Sequence, residues 1–292
     1  MRPPLGLCGS LGFVLVLAAP SAALEPNDFE TASLIHLNRL RADPSAEGHA
    51  LTLLKERYDP GIAVDYALFA TEMDSYQAAP PVVFDPTLIT AARNHSFYMA
   101  AHAIGHGEDP DQAGFTGRDL SERLDYVMFR GTTGGENVFR DAEDPLHGHF
   151  AFTVDWGPGG TGGMQSDRGH RLCMLRPRYN VVGIGAVQRN DAPRWAISHA
   201  FAIMPGRFIG GVVYRDTNHN GTYDAGEGLG RAQVITSDAA LTASSWASGA
   251  FSCQLPSRGA GRVVLQLGDD QQIVEYQAGI LNHWFEWCLT AP

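Results

Sequence analysis

The chain has 292 residues, 44% of them apolar and 18% charged, with a net charge of -11. That length suits one large domain or two ordinary ones, and the composition is globular rather than disordered. So acidic a balance argues against sequence-independent nucleic-acid binding, which needs clustered cations to neutralise phosphates.

The first residues read as an export signal. Arg2 supplies the charge, Leu11 to Ala19 the short apolar run and Ser21-Ala22-Ala23 the small-residue cleavage site. The run is too short to span a bilayer, and no later run reaches about 18 apolar residues. The expectation is a secreted or periplasmic protein without a membrane anchor, once residues 1–23 are removed. Cys8 leaves with the signal. Cys253 and Cys288 can then pair, leaving Cys173 as a free, buried thiol.

Asn27 to Asp43 predicts a helix, with Asn27 as cap, Glu30 completing a capping box and Leu34, Leu37 and Leu40 as its apolar stripe. A second helix is expected over Ala46 to Tyr58. Residues 59–81 read as a surface connection with at most one helical turn. Asp85-Pro86 starts another helix, whose face carries Leu88, Ala92, His95, Met99 and His102. On periodicity, both histidines are satisfied core residues. A short helix is expected over Arg118 to Tyr126, then a Gly134-Gly135-Glu136-Asn137 turn. Asp144-Pro145 opens a helix to about Trp156, with His147 on the surface and His149 in the packing. Gly157 to Gly163 is a glycine-rich connection that lacks the Gly-Lys-Ser/Thr ending of a phosphate loop. Tyr179–Val187 and Trp195–Ile203 read as an antiparallel hairpin. After Pro205-Gly206 the texture changes. The short β-like runs Phe208–Tyr214, Ala232–Thr236, Arg262–Leu267 and Gln272–Tyr276 alternate with turns and suggest a small two-sheet domain.

Within that part, Asp216 to Glu227 has the spacing of a twelve-residue calcium loop. Asp216, Asn218, Asn220, Asp224 and Glu227 place oxygens at positions one, three, five, nine and twelve. Thr222 offers its carbonyl at seven, and Gly221 allows the sharp turn at six. Its flanks are β-like rather than helical. The run Gly211-Val212-Val213-Tyr214-Arg215-Asp216 onward to Gly228-Leu229 resembles the calcium loops of adhesin B-type repeats, where the ion rigidifies the module.

By spacing alone, His106, Glu136 and His170 form no motif; no HExxH or GxSxG is present. Several ordered segments nevertheless carry a resemblance: Leu37-Asn38-Arg39-Leu40-Arg41-Ala42-Asp43-Pro44, His95-Ser96, Met99-Ala100, His106, Gly135-Glu136-Asn137-Val138, Gly169-His170-Arg171 and Val182-Gly183-Ile184-Gly185. Over residues 28 to 204 the chain resembles the CAP superfamily of cysteine-rich secretory proteins, antigen 5 and PR-1 proteins, in its bacterial SCP form.

The resemblance implies an α-β-α sandwich over residues 24–205; with the calcium-binding β-sandwich that the C-terminal texture and loop suggest over 206–292, the expected fold class is α+β. The resemblance also implies a cleft with two histidines and two acids that often binds zinc or another divalent ion. Carried over, these are His106, Glu136, His170 and, as second acid, Asp155 beside Trp156, with Asp167 as rival. The family implies a non-enzymatic extracellular binding protein for a protein, lipid or glycan ligand. A metal-dependent hydrolase or peptidase, with Ser96 or Ser166 as the nearby hydroxyl, and a cell-surface adhesion module are the alternatives.

Overall fold

Each early helix begins where the sequence supplies an oxygen to its unpaired N–H groups. In the computed structural model, which describes residues 25–236, 242–256 and 259–289, Asn27 and Glu30 form the expected capping box on α1 (Asp28–Ala42). Asp43 caps α2 (Pro44–Thr52), Asp65 caps α3 (Tyr66–Ser75) and Asp85 caps α4 (Pro86–Ala101). Each such cap contributes about 1 kcal/mol. Two expectations shift. Proline at the first turn moves the second helix earlier than Ala46–Tyr58. The stretch read as a connection holds α3, seated through buried Phe69 and Met73. Residues 1–23, expected to be an export signal, and with them Cys8, lie outside the described residues.

The next elements are β1 (Val83–Phe84), α5 (Leu120–Tyr126), β2 (Thr132–Ala142), α6 (Pro145–Val154), α7 (Gly169–Met174), β3 (Val181–Gln188) and β4 (Trp195–Ile203). The strands form one sheet in the order β1-β3-β4-β2, with β1 parallel to β3 and the expected β3–β4 hairpin antiparallel. Side chains alternate along β3. Gly183 and Gly185 face α4 so closely that an added Cβ would lie 2.0 Å from Leu88 C and 2.3 Å from Ala92 C. Val182, Ile184 and Ala186 face the other way, into a core with Leu34 and Leu37 of α1 and Phe150 and Phe152 of α6. The result is helix, sheet, helix.

The remaining strands are β5 (Arg207–Tyr214), β6 (Gln233–Thr236), β7 (Thr242–Ser244), β8 (Ala250–Leu255), β9 (Gly261–Leu267), β10 (Asp270–Tyr276) and β11 (Asn282–Cys288). They form two sheets, β11-β5-β8 and β10-β9-β6-β7, around Ile209, Val213, Phe251, Val263, Leu265 and Trp287. The change of texture after Gly206 therefore marks a change of architecture, but the seam is packed. Phe208 joins a cluster with Val83 and Val181, and Val212, Tyr214 and Tyr223 pack on Ile35 of α1.

The Cys253–Cys288 pairing that the sequence left open does not form: Cys173, Cys253 and Cys288 are all free. Cys253 pairs across β5 with Ile209, and Cys288 lies beside Tyr214 on its other edge. Five positions along a strand is about 16 Å, beyond the reach of a disulfide. Among the described residues, no helix is long and apolar enough to cross a membrane.

Candidate functional site

Glu136 sits on a strand, not in the turn expected of Gly134-Gly135. Two close approaches explain the glycines. A Cβ on Gly134 would lie 2.3 Å from Phe201 O, and one on Gly135 2.7 Å from Cys173 Sγ. The ladder to β4 shifts register between Thr133 and Glu136, so the strand bulges as it delivers the acid. Glu136 Oε2 lies 3.0 Å from His106 Nδ1, and Arg123 Nη2 donates to Oε1 at 2.7 Å. Burial pushes the Glu136 carboxyl up. The hydrogen bond to His106 and the charges of His95 and Arg123 outweigh it and hold the group below its ordinary range. Glu136 is therefore a fixed anion at neutral pH.

The loop carrying His106 is pinned from below. His95 is fully buried, with Nδ1 at 2.8 Å from Glu108 Oε1 and Nε2 donating to Gly105 O at 3.0 Å. Glu108 also accepts from the Thr116 and Gly117 N–H groups, and Arg123 Nη1 donates to His106 O at 3.1 Å. The reading of His95 as a satisfied core residue holds. His102 instead ends α4, half-buried, with Nε2 donating to Ala113 O.

The second pair lies at the end of α6. Asp155 is the C-cap, at φ 58° and ψ 44°, a left-handed conformation that short polar side chains tolerate better than most. Its Oδ2 accepts from His170 N at 3.0 Å, and its Oδ1 lies 2.7 Å from His170 Nδ1. Asp155 is fully buried, whereas the rival Asp167 is exposed. Asn137, next to Glu136 on β2, donates to His170 O at 3.0 Å and ties the two pairs together.

The four residues named from the sequence thus form two histidine–carboxylate pairs. In each, Nδ1 faces the acid. Among the described residues, no hydrogen bond engages either Nε2 and no three His, Cys, Asp or Glu side chains converge as an ion-sized group. The His106 side chain is 60% exposed and that of His170 20%, so both remain reachable.

Sequence reasoning missed Arg123, which has no local signature, and assigned no partner to Asn137, although it named that residue. It also misplaced His147, which is buried and stacks on Tyr58 at 4.7 Å. His149 packs as expected, with Nε2 2.9 Å from Glu47. Ser96 Oγ donates to Gly185 O in the buried layer under α4, while Ser166 is exposed. The half-buried Cys173 thiol is pushed up to about 12 by burial, so it stays protonated.

The Asp216–Glu227 loop folds on its own side chains. Asp216 accepts from the Asn220 and Gly221 N–H groups at 3.1 and 2.8 Å, Asn218 from Asn220 N and Asn220 from Thr222 N. Glu227 accepts from Thr217 N at 2.7 Å and from Asp224 N at 3.0 Å. Gly221 takes φ +77° at the turn.

Residues 34–199 match the cysteine-rich secretory protein family, CAP. The chain belongs to that family. No curated protein matches it. Among solved structures it is similar to an extracellular protein containing an SCP domain from Bacillus anthracis str. Ames, at 17% identity and a TM-score of 0.34. That likeness covers 43% of this chain and 35% of the other, so the match spans about a third of the other protein.

Proposed function

We propose that this CAP protein is an exported, extracellular binding protein whose cleft presents two imidazole nitrogens to a divalent ion such as zinc. The observation that carries the reading is the pairing of each histidine Nδ1 with a carboxylate. A carboxylate behind Nδ1 fixes the tautomer and orientation of a metal-bound histidine and raises its basicity. In this reading the ion would be held by His106 and His170, with Glu136 and Asp155 behind them. Glu136 fits less well as a direct ligand, because Arg123 already holds that carboxylate. When bound, such an ion supplies a Lewis-acidic centre to which an oxygen or nitrogen of a ligand coordinates.

The binding reading is preferred to a hydrolase that attacks through a side-chain nucleophile. Ser96 Oγ is committed to Gly185 O, and the Cys173 thiol is held protonated, so neither offers an activated nucleophile. The ligand is an extracellular protein, lipid or glycan. Zinc competition against a chromophoric chelator tests the cleft. His106→Ala and His170→Ala should each weaken binding at least about tenfold; unchanged affinity in both variants refutes the reading.

The second half of the proposal is a structural calcium ion in the Asp216–Glu227 loop, within a C-terminal β unit that begins near residue 206. Hard oxygens from Asp216, Asn218, Asn220, Asp224 and Glu227 and the Thr222 carbonyl suit calcium rather than a softer metal. Their frame is already folded by the hydrogen bonds to Gly221, Thr222 and Thr217 N–H groups.

A further inference from the structure

The calcium loop does not hang free of the CAP fold. Tyr223, at loop position eight, is buried with Ile35 of α1, Val212 and Tyr214. Its hydroxyl lies 3.0 Å from Asp28 Oδ1, and Gly226 N, at position eleven, donates to Asp28 Oδ2 at 3.0 Å. Asp28 is the first residue of α1. Further along the same helix, Thr31 Oγ1 donates to Ser248 Oγ at 2.8 Å, and Ser248 O lies 3.1 Å from the Tyr223 hydroxyl.

The order of these residues matters. The two that grip Asp28 are interleaved with the ligand positions. Thr222 and Asp224 flank Tyr223, and Glu227 follows Gly226. An ion held by Thr222 O, Asp224 and Glu227 would fix the backbone on both sides of Tyr223 and immediately after Gly226. The opposite face of α1 carries Leu34, Leu37 and Leu40 into the CAP core, and Glu30 ties it to Arg93 and to Ala186 N of β3. One rigid helix therefore contacts the loop on one side and the sheet on the other.

We infer that calcium in this loop clamps the β unit onto α1 through Asp28, so that its occupancy sets how firmly the two parts of the chain are docked. This rests on the calcium reading above. Coupling between two such events is reciprocal: if the ion tightens the dock, the intact dock tightens the ion by the same factor.

The test uses the full chain with calcium alone as probe. Calorimetry gives calcium affinity, and amide hydrogen exchange reports on residues 28–38. Calcium should slow exchange in that segment about tenfold, and Asp28→Ala should abolish the slowing while weakening calcium affinity about five- to tenfold. Tyr223→Phe keeps the packed ring and loses only the hydroxyl. It guards against a folding defect and should show the same effects at smaller size. If calcium binds but exchange in α1 is unchanged and Asp28→Ala binds as tightly as the parent, the clamp is overturned and the calcium site stands. If the parent shows no calcium binding, both are overturned.

Discussion

Replacing Arg123 by methionine tests how the Glu136–His106 pair is held. The guanidinium is 1% exposed and pairs at 2.7 Å with a Glu136 side chain that is 5% exposed. It also donates to His106 O. Methionine fills much of the same volume but leaves the Glu136 anion buried, with His106 as its remaining hydrogen-bond partner. Breaking a buried pair from one side costs about 3–5 kcal/mol, chiefly because the partner charge is left uncompensated. For a chain of this size that is a fall in melting temperature of about 6–20 °C. The deficit should be largest at neutral pH, where Glu136 is ionised, and should shrink as pH falls and the stranded carboxyl takes up a proton. Adding Glu136→Gln to the variant should recover much of the loss. Scanning calorimetry across pH 5 to 8 on the single and double variants checks this. An Arg123→Met protein that melts within a degree or two of the parent at neutral pH would refute the account of Glu136 as a fixed, compensated anion.

Buried His199 makes the fold acid-sensitive. Burial lowers its pKa to about 3 in the folded chain, and the charges of His149 and His170 add to the effect. Above pH 6.5 it has no effect. Below that, the unfolded chain takes up a proton the folded chain refuses, a penalty of about 2 kcal/mol at pH 5 that grows until about pH 3. Urea unfolding at pH 7.5 and 5 should show that loss in the parent and a smaller one in His199→Leu; equal pH slopes count against it. Calcium at a hundredfold excess over its dissociation constant should raise stability by about 2.7 kcal/mol, and Glu227→Ala should abolish the rise in melting temperature. Protein lacking residues 1–23, unfolded without reductant, should react with three equivalents of a thiol reagent at Cys173, Cys253 and Cys288. One equivalent would restore the disulfide.

Much of the frame was legible because its signals are local. Asn27 with Glu30, Asp85-Pro86 and Asp144-Pro145 start helices by chemistry within a few residues, and the β3–β4 hairpin follows from two β-rich runs joined by a polar turn. The glycines at 134 and 135 misled because what they answer to, Phe201 O and Cys173 Sγ, lies far along the chain. A periodicity argument also has no purchase on α7, six residues long, although it carries His170. His106 and His170 were singled out through family resemblance rather than spacing. What resemblance could not give was the division of labour. Arg123 reaches Glu136 from a short helix, and the αL cap brings Asp155 rather than Asp167 against His170. Both depend on tertiary placement that no local pattern encodes.

The central claim is that imidazole Nε2 atoms face the cleft ion and the two acids stand behind them. A crystal of the protein soaked in zinc and measured at the zinc absorption edge tests this directly. The account predicts an anomalous peak at about 2.0–2.1 Å from the Nε2 atoms of His106 and His170, with Glu136 and Asp155 still on the Nδ1 side. A zinc ion bound instead through the Glu136 or Asp155 oxygens, or no peak in the cleft at saturating zinc, would contradict it.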